Sequence, residues 1–222
     1  EVSSIADRVD EGQTGMEDAT LNQWLAFRTM IAFARAADRG KPSWILTYGY
    51  RPRDSAQLAG MVLAEGTNFY ETQGPAMDAT VGEEYRRQLF EWIALHRADI
   101  YDGESAAEVG LVYSARNRDL LDAGEGEYYD VGESTHFAAY RQTANMLYKA
   151  HVPFDVVLDT NTTAFNRYAV LILPEVQAMS EDTAAALRAY PGRLIAVGYT
   201  EWLWTYMEKR PENALAGAPL RR

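Results

Sequence analysis

Apolar residues along this 222-residue chain recur in two alternating patterns, one typical of amphipathic helices and the other of buried strands. From Thr20 to Ala34 they repeat at intervals of three and four, which predicts a helix with Gly40 as its expected C-terminal cap. The short β-rich run Ser43–Tyr48 then predicts a buried strand. A second helix follows, with Asp54 as its expected N-cap, and Asn68–Tyr70 is the next candidate strand. This order indicates β/α units in the first half of the chain.

The second half repeats the alternation after a long predicted helix, roughly 81–98, and a polar, turn-forming segment at Asp102–Ser105. We take that segment as the boundary between domains at 1–104 and 105–222. Ser180 is expected to begin a helix whose first turn is acidic, as the helix dipole favours. The predicted strands are 108–113, 154–158, 168–173 and 193–197. Strands that alternate with helices imply a parallel sheet with helices on both faces.

Composition excludes several classes of function. The net charge is −11 and no basic cluster is present, which argues against nucleic acid and against anionic membrane surfaces as partners. A neutral sugar remains compatible with this charge. The sequence contains no Cys, so disulfides, thiol catalysis and Cys-based zinc sites are excluded. No apolar run is long enough to span a membrane. We expect a soluble protein and prefer the cytoplasm, although the lack of Cys leaves the compartment open.

The second half resembles the trimerisation domain of β-galactosidases of glycoside hydrolase family 42 and of related hypothetical glycosyl hydrolases. The segments that carry the resemblance are Val109–Asp119, Ala139–Arg141 with His151–Val157, and Tyr168–Pro174 with Ser180. The resemblance implies a flavodoxin-like fold similar to class I glutamine amidotransferases but without their nucleophile. It also implies a homo-oligomer, a trimer in that family.

The first half is similar to the end of the catalytic (β/α) barrel of the same enzymes. Gly40–Leu46 resembles their seventh barrel strand, and Ala64–Tyr70 resembles a helix end followed by the eighth strand. In this family a nucleophilic Glu stands at the end of strand seven. Thr47 occupies that position here, and a Thr hydroxyl cannot replace a carboxylate that attacks an anomeric carbon. The family's general acid lies on strand four, upstream of Glu1.

Barrel enzymes place their chemistry at the carboxyl ends of the strands, and this rule selects the candidate site. Glu71 follows the second strand and is the candidate catalytic acid, base or sugar ligand; a solvated or ion-paired loop residue is the alternative. Tyr48, Tyr50 and Gln73 lie in the same strand-end segments and are candidate sugar-binding residues. Packing of the barrel rim explains the two tyrosines equally well.

The remaining candidates for chemistry predict neither a metal site nor a cofactor. His96 falls on the apolar face of the long helix and is expected to be a buried core residue. His136 is expected in the first turn of a helix, and His151 in a loop with a structural hydrogen bond. No two histidines are spaced as metal ligands on a helix. The acidic loop Asp119–Glu133 lacks the residue order of a calcium loop, so a solvated surface loop is expected.

Two functions stay open at this point. The first is a glycoside hydrolase, acting on a β-galactoside or related glycan, of which this chain holds the last barrel units and the oligomerisation domain. The second is a non-catalytic carbohydrate-binding or scaffolding relative that lost the nucleophile, which Thr47 favours. An amidotransferase-like enzyme is a weaker third, since there is no Cys. The sugar and its linkage cannot be derived from these residues.

Overall fold

A computed structural model describes most of the chain, in two compact units, Glu1–Ser105 and Ala106–Arg222. The described residues are 17–39, 41, 43–47, 52–71, 80–119, 135–198, 202–205, 208–213, 218 and 220–221.

The first unit combines helices with a two-stranded parallel sheet. Its elements are α1 (Glu17–Ala37), β1 (Trp44–Thr47), α2 (Pro52–Ala64), β2 (Asn68–Glu71), α3 (Thr80–Leu95) and α4 (Arg97–Tyr101). Helix α2 begins at Pro52, so the prediction of Asp54 as its N-cap is wrong: Asp54 lies in the first helical turn. Proline suits the first helical position because its missing N–H would have no partner there. Gly66 lies in the turn between α2 and β2 and has φ +69°, a backbone conformation that glycine adopts without strain.

Strands β1 and β2 are in register, with Trp44 opposite Asn68 and Thr47 opposite Glu71. Their two faces differ, because successive side chains of a strand point to opposite sides. One face packs on the helices: Phe69 is buried among apolar residues of α1 and α2, and Ile45 packs against the same cluster. The other face is open and apolar, with Trp44 67%, Tyr70 53% and Leu46 43% exposed.

The second unit is built on a five-stranded sheet in the order β4-β3-β5-β6-β9, and all of its pairings are parallel. Its elements are β3 (Val109–Tyr113), α5 (Ala115–Asn117), α6 (Thr135–Lys149), β4 (Phe154–Leu158), a 3₁₀ helix (Thr162–Arg167), β5 (Val170–Pro174), α7 (Glu181–Ala189), β6 (Arg193–Val197), β7 (Trp202–Thr205), β8 (Glu208–Asn213) and β9 (Leu220–Arg221). Counted among the five strands of this sheet alone, the order is 2-1-3-4-5, which is common among doubly wound sheets. Strands β7 and β8 form a separate antiparallel pair.

Helices cover both faces of this sheet, as the alternation of strands and helices predicts. Val112 belongs to a buried cluster with Leu187 of α7. Tyr113, the next residue, points to the other face, where its ring lies 5.1 Å from that of Tyr140 on α6. The expected cap of α7 is also confirmed: the Ser180 hydroxyl accepts a hydrogen bond from the Thr183 N–H.

Candidate functional site

The strand-end candidates of the first unit lie side by side. Thr47 and Glu71 are the last residues of β1 and β2 and are opposite each other in register. Both belong to the face that carries Ile45 and Phe69, so their side chains point toward the helices and away from the open face. Thr47 is 1% exposed, and its hydroxyl donates a long hydrogen bond of 3.4 Å to the Tyr70 carbonyl.

Glu71 lies in a polar cluster that the alternating pattern alone does not reveal. Ser55 of α2 and Tyr85 and Arg86 of α3 are the groups that influence its carboxyl. Both Glu71 carboxylate oxygens are buried, and within the described residues neither makes a well-formed hydrogen bond. The same holds for the hydroxyls of Ser55 and Tyr85, so these polar contacts are loose. A buried carboxyl without firm donors is costly to ionise.

The electrostatics of the cluster follow from this burial. Burial raises the pKa of Glu71 above its ordinary value of 4.5, while the nearby Ser55 hydroxyl and the Arg86 charge lower it in part. The pKa of Tyr85 is also raised, mainly by burial and further by the Glu71 charge. A raised carboxyl pKa is a property of general acids, and it is also the ordinary result of burying a structural carboxyl.

The other predicted site residues, Tyr48, Tyr50 and Gln73, lie outside the described residues. The structure thus brings Glu71 together with Ser55, Tyr85 and Arg86, none of which the sequence selected as a site residue. One signal was available for Tyr85, because it falls on the inward face of the long predicted helix. Ser55 carried no comparable signal.

In the second unit, polar side chains meet at the carboxyl edge of the sheet, beside strands β3, β4 and β5. Ser114 follows β3 directly and Asp159 follows β4 directly. The Ser114 Oγ lies 2.6 Å from Asp159 Oδ2, and the Ser114 N–H donates to His136 Nε2 at 3.0 Å. All three residues are buried, with at most 2% exposure. The strand order reverses between β3 and β5, since β4 lies on one side of β3 and the later strands lie on the other. Such a switch point is where doubly wound sheets bind ligands.

Asn117 completes this network from α5. Its Oδ1 accepts the backbone N–H groups of Gln177 and Ala178, each at 2.7 Å, and so fixes the connection between β5 and α7. Its own N–H donates to the Ser114 Oγ at 3.0 Å. Hydrogen bonds between protein groups therefore join three segments of the chain at the switch point.

The hydrogen bonds assign the protonation of His136. Its Nδ1 lies 2.6 Å from the Pro174 carbonyl oxygen, which can only accept, so Nδ1 carries the hydrogen. Its Nε2 accepts from the Ser114 N–H, so this nitrogen has none. The ring is neutral and both nitrogens are engaged.

Ser114, His136 and Asp159 do not form a nucleophilic triad, although they are the residue types of one. In a triad the imidazole accepts the serine hydroxyl proton and the carboxylate holds the imidazole. Here the imidazole binds the Ser114 backbone, while the carboxyl of Asp159 contacts the Ser114 hydroxyl itself. The arrangement joins elements of the fold and does not activate a nucleophile.

The other histidines occupy surface positions. The expectation that His96 is buried is wrong: its side chain is 40% exposed, lies over Trp92 and contacts Asp99 at the start of α4. The apolar face of the long helix ends before it, because α3 stops at Leu95. His151 is exposed and has φ 53°.

The described residues contain no cluster of metal ligands and no membrane-spanning helix. No group of three or more His, Cys, Asp or Glu residues among them is placed to hold a metal ion. No helix in that part of the chain is long and apolar enough to cross a membrane. Residues 120–133 of the acidic loop lie outside the described residues.

Comparison with solved structures confirms the resemblance to family 42 β-galactosidases as one of fold. The β-galactosidase of the Antarctic haloarchaeon Halorubrum lacusprofundi matches 97% of this chain and 36% of its own, with a TM-score of 0.64 and 16% identity. The cold-adapted β-galactosidase from Rahnella sp. R3 matches 79% of this chain and 30% of its own, with a TM-score of 0.59 and 15% identity. Gan42B, a GH42 β-galactosidase, matches 78% and 29%, with a TM-score of 0.59 and 16% identity. The chain is an α/β protein with parallel sheets that resembles about a third of such an enzyme.

Sequence comparison adds one curated relative and no family. No family model matches the chain. The S-adenosylmethionine:tRNA ribosyltransferase-isomerase of Phenylobacterium zucineum (strain HLK1) is 26% identical over 203 residues, which are 87% of this chain and 56% of that protein. The chain thus spans little more than half the length of the curated relative it matches.

Proposed function

We propose that this chain is the C-terminal part of a glycoside hydrolase-like protein. Residues 1–104 would supply the last two β/α units of a TIM-type barrel, and residues 105–222 a flavodoxin-like domain of the β-galactosidase trimerisation type. The observation that carries the proposal is the two-faced β1–β2 sheet. Helices cover one face, while the other presents Trp44, Leu46 and Tyr70 to solvent. Strands of a TIM-type barrel also have one face covered by helices, whereas the side chains of the inner face are buried only by the strands opposite.

The proposed substrate is a β-galactoside or a related neutral glycan, consistent with the charge of −11. We assign Glu71 as the candidate carboxyl group and Tyr48, Tyr50 and Gln73 as candidate sugar contacts. The raised pKa of Glu71 is compatible with donating a proton to a leaving group. Glycoside hydrolysis requires a second carboxyl, which we expect outside this chain because Thr47 offers none.

A non-catalytic carbohydrate-binding or scaffolding protein is the second candidate, and one observation favours it. The side chains of Thr47 and Glu71 point into the helix layer and not toward the open face of the sheet. A carboxyl group in that position lies between β2 and the helices α2 and α3 and does not contact a sugar in the barrel.

The curated relative supports neither candidate. Its name refers to a tRNA, and binding of tRNA requires basic side chains that neutralise phosphates. The net charge of −11 argues against such a partner here. For the second unit we propose self-association, a homo-oligomer, by analogy of fold alone.

The test is an assay of the protein expressed from its complete reading frame, on aryl β-galactosides and related aryl glycosides. Glu71→Gln preserves size and removes the charge, and Glu83→Gln is the matched control because Glu83 is an exposed residue of α3. Loss of a positioned acid or base lowers the rate by about 10²–10⁴-fold. We expect that loss for Glu71→Gln, none for Glu83→Gln, and a small effect for Thr47→Ala.

The outcomes separate the candidates. A parent that hydrolyses glycosides while Glu71→Gln retains full activity would show that the assignment of Glu71 is wrong. A parent that hydrolyses no glycoside but binds oligosaccharide in calorimetry supports the scaffolding candidate. A parent that does neither contradicts both proposals.

A further inference from the structure

When Asp159 is ionised, the single hydrogen of the Ser114 hydroxyl has two neighbouring acceptors. The Asn117 N–H donates to Ser114 Oγ at 3.0 Å, Asp159 Oδ2 lies at 2.6 Å, and the Ala178 carbonyl oxygen lies at 3.2 Å. A hydroxyl has one hydrogen and accepts up to two. If Asp159 is a carboxylate, two groups that can only accept compete for that single hydrogen. If Asp159 is a neutral acid, every contact has a donor and an acceptor.

Burial favours the same assignment. Asp159 is 2% exposed, and its second oxygen, Oδ1, is buried without a well-formed hydrogen bond within the described residues. A carboxylate distributes its charge over both oxygens, so an unpaired one is expensive in a buried site. The distance of 2.6 Å fits an O–H···O bond of either direction and does not decide between them.

The charged groups that face Asp159 offset this burial only in part. Burial is the largest influence on the pKa of Asp159 and raises it, whereas the Ser114 hydroxyl, the Ala115 N–H and the Arg116 charge oppose the rise; His136 would oppose it only as a cation. The hydrogen bonds of His136 on α6 keep its ring neutral, so it supplies no positive charge. Arg116 on α5 is partly exposed, and solvent screens its charge. From α7, the Thr183 hydroxyl binds the backbone carbonyl of Asp159 and not its carboxyl.

We propose that Asp159 retains its proton in the folded protein and donates it to Ser114 Oγ, which donates in turn to the Ala178 carbonyl. This neutral relay connects the ends of β3 and β4 to the segment between β5 and α7. When Asp159 loses this proton at higher pH, the Ser114 hydroxyl donates to Asp159 and no longer to the Ala178 carbonyl. The hydrogen bonding at this edge of the sheet therefore depends on pH. The site lies in the second unit and is independent of glycoside hydrolysis.

The direct test is a pH titration of the Asp159 carboxyl carbon by NMR in protein labelled with ¹³C-aspartate. The signal is assigned by its absence in Asp159→Asn. We expect a midpoint well above the ordinary Asp value of about 3.9. The signal of Asp155, assigned by its absence in Asp155→Asn, is the control. Asp155 lies on the same strand, and its carboxylate accepts a hydrogen bond from the Tyr168 hydroxyl. An Asp159 midpoint at or below about 3.9 overturns the proposal.

The second test is the melting temperature as a function of pH. An acid whose pKa is raised by folding reduces stability as pH rises through the folded pKa, so the parent should melt progressively lower over that range. Asn supplies an N–H donor to Ser114 at all pH values, so Asp159→Asn should lose this decline while Asp155→Asn keeps it. A variant Asp159→Asn that melts below the parent at every pH contradicts the relay. If Asp159→Asn does not fold, the Asp159 signal is assigned by triple-resonance experiments and the titration of the parent decides.

Discussion

Replacing Asn117 with Ala tests whether the carboxyl edge of the second sheet is a closed structural network. Asn117 is fully buried, and its Oδ1 accepts the N–H groups of Gln177 and Ala178 at 2.7 Å each. The variant leaves both donors without this acceptor but retains the bond from its own N–H to Ser114. The buried Ala178 N–H costs about 1–3 kcal/mol when unpaired, and the less buried Gln177 N–H about 0.5–1.5 kcal/mol.

One effect opposes this loss. The Asn117 Nδ2 is itself buried without a partner among the described residues, and Ala removes it. We therefore expect Asn117→Ala to reduce the free energy of unfolding by about 2–3 kcal/mol. The assay is urea unfolding read from hydrogen exchange of peptides that contain β3 and β5, which reports on this unit alone. The control is Asn161→Ala, because the side-chain Oδ1 of Asn161 accepts an exposed 3.1 Å bond from the Thr163 hydroxyl; this variant should change stability by no more than about 0.5 kcal/mol. Equal effects of the two variants would refute the closed network.

Three other substitutions test the packing and electrostatics. Gly110→Ala places a Cβ 2.7 Å from Leu171 Cδ2, so urea unfolding should show a loss of about 1–3 kcal/mol; unchanged stability would contradict this contact. Ser180→Ala removes the cap on the Thr183 N–H and should cost about 1 kcal/mol by the same measurement, and a neutral result would mean that the cap contributes nothing. Since the folded pKa of Glu71 lies above 4.5, the parent should lose stability relative to Glu71→Gln as pH rises from 4.5 through that pKa. Thermal melts of both proteins over that range measure the difference, and a relative gain by the parent would reverse the assigned direction.

The sheet of the second unit is predictable from sequence because its strands are short apolar runs separated by helical patterns. The predicted strand at 154–158 and that at 193–197 agree with β4 and β6 residue for residue. Strand β8 was not predicted, since Glu208–Asn213 is charged and contains a proline. It forms by antiparallel pairing with β7, and this pairing outweighs local propensity.

The polar network was beyond sequence reasoning for a different reason. Its bonds join Ser114 to residues 22, 45 and 64 positions away, and no local pattern encodes such contacts. Only the position of Ser114 and Asp159 directly after predicted strands hinted that they meet at one edge. In the first unit the direction of Glu71 was available in principle, because it shares the parity of Phe69 along β2. The neighbours Ser55 and Arg86 required the packing of α2 and α3.

The open face of the β1–β2 sheet provides the most direct test of the proposed barrel. Hydroxyl-radical footprinting of the native protein from its complete reading frame measures the reactivity of Trp44 and Tyr70. Two residues of the chain calibrate the scale: Tyr140 is 2% exposed and Trp92 is 50% exposed. If other barrel strands cover this face, Trp44 and Tyr70 should react as slowly as Tyr140. Reaction at the rate of Trp92 would mean that the face is open to solvent in the native protein, and the proposal that β1 and β2 close a barrel would be wrong.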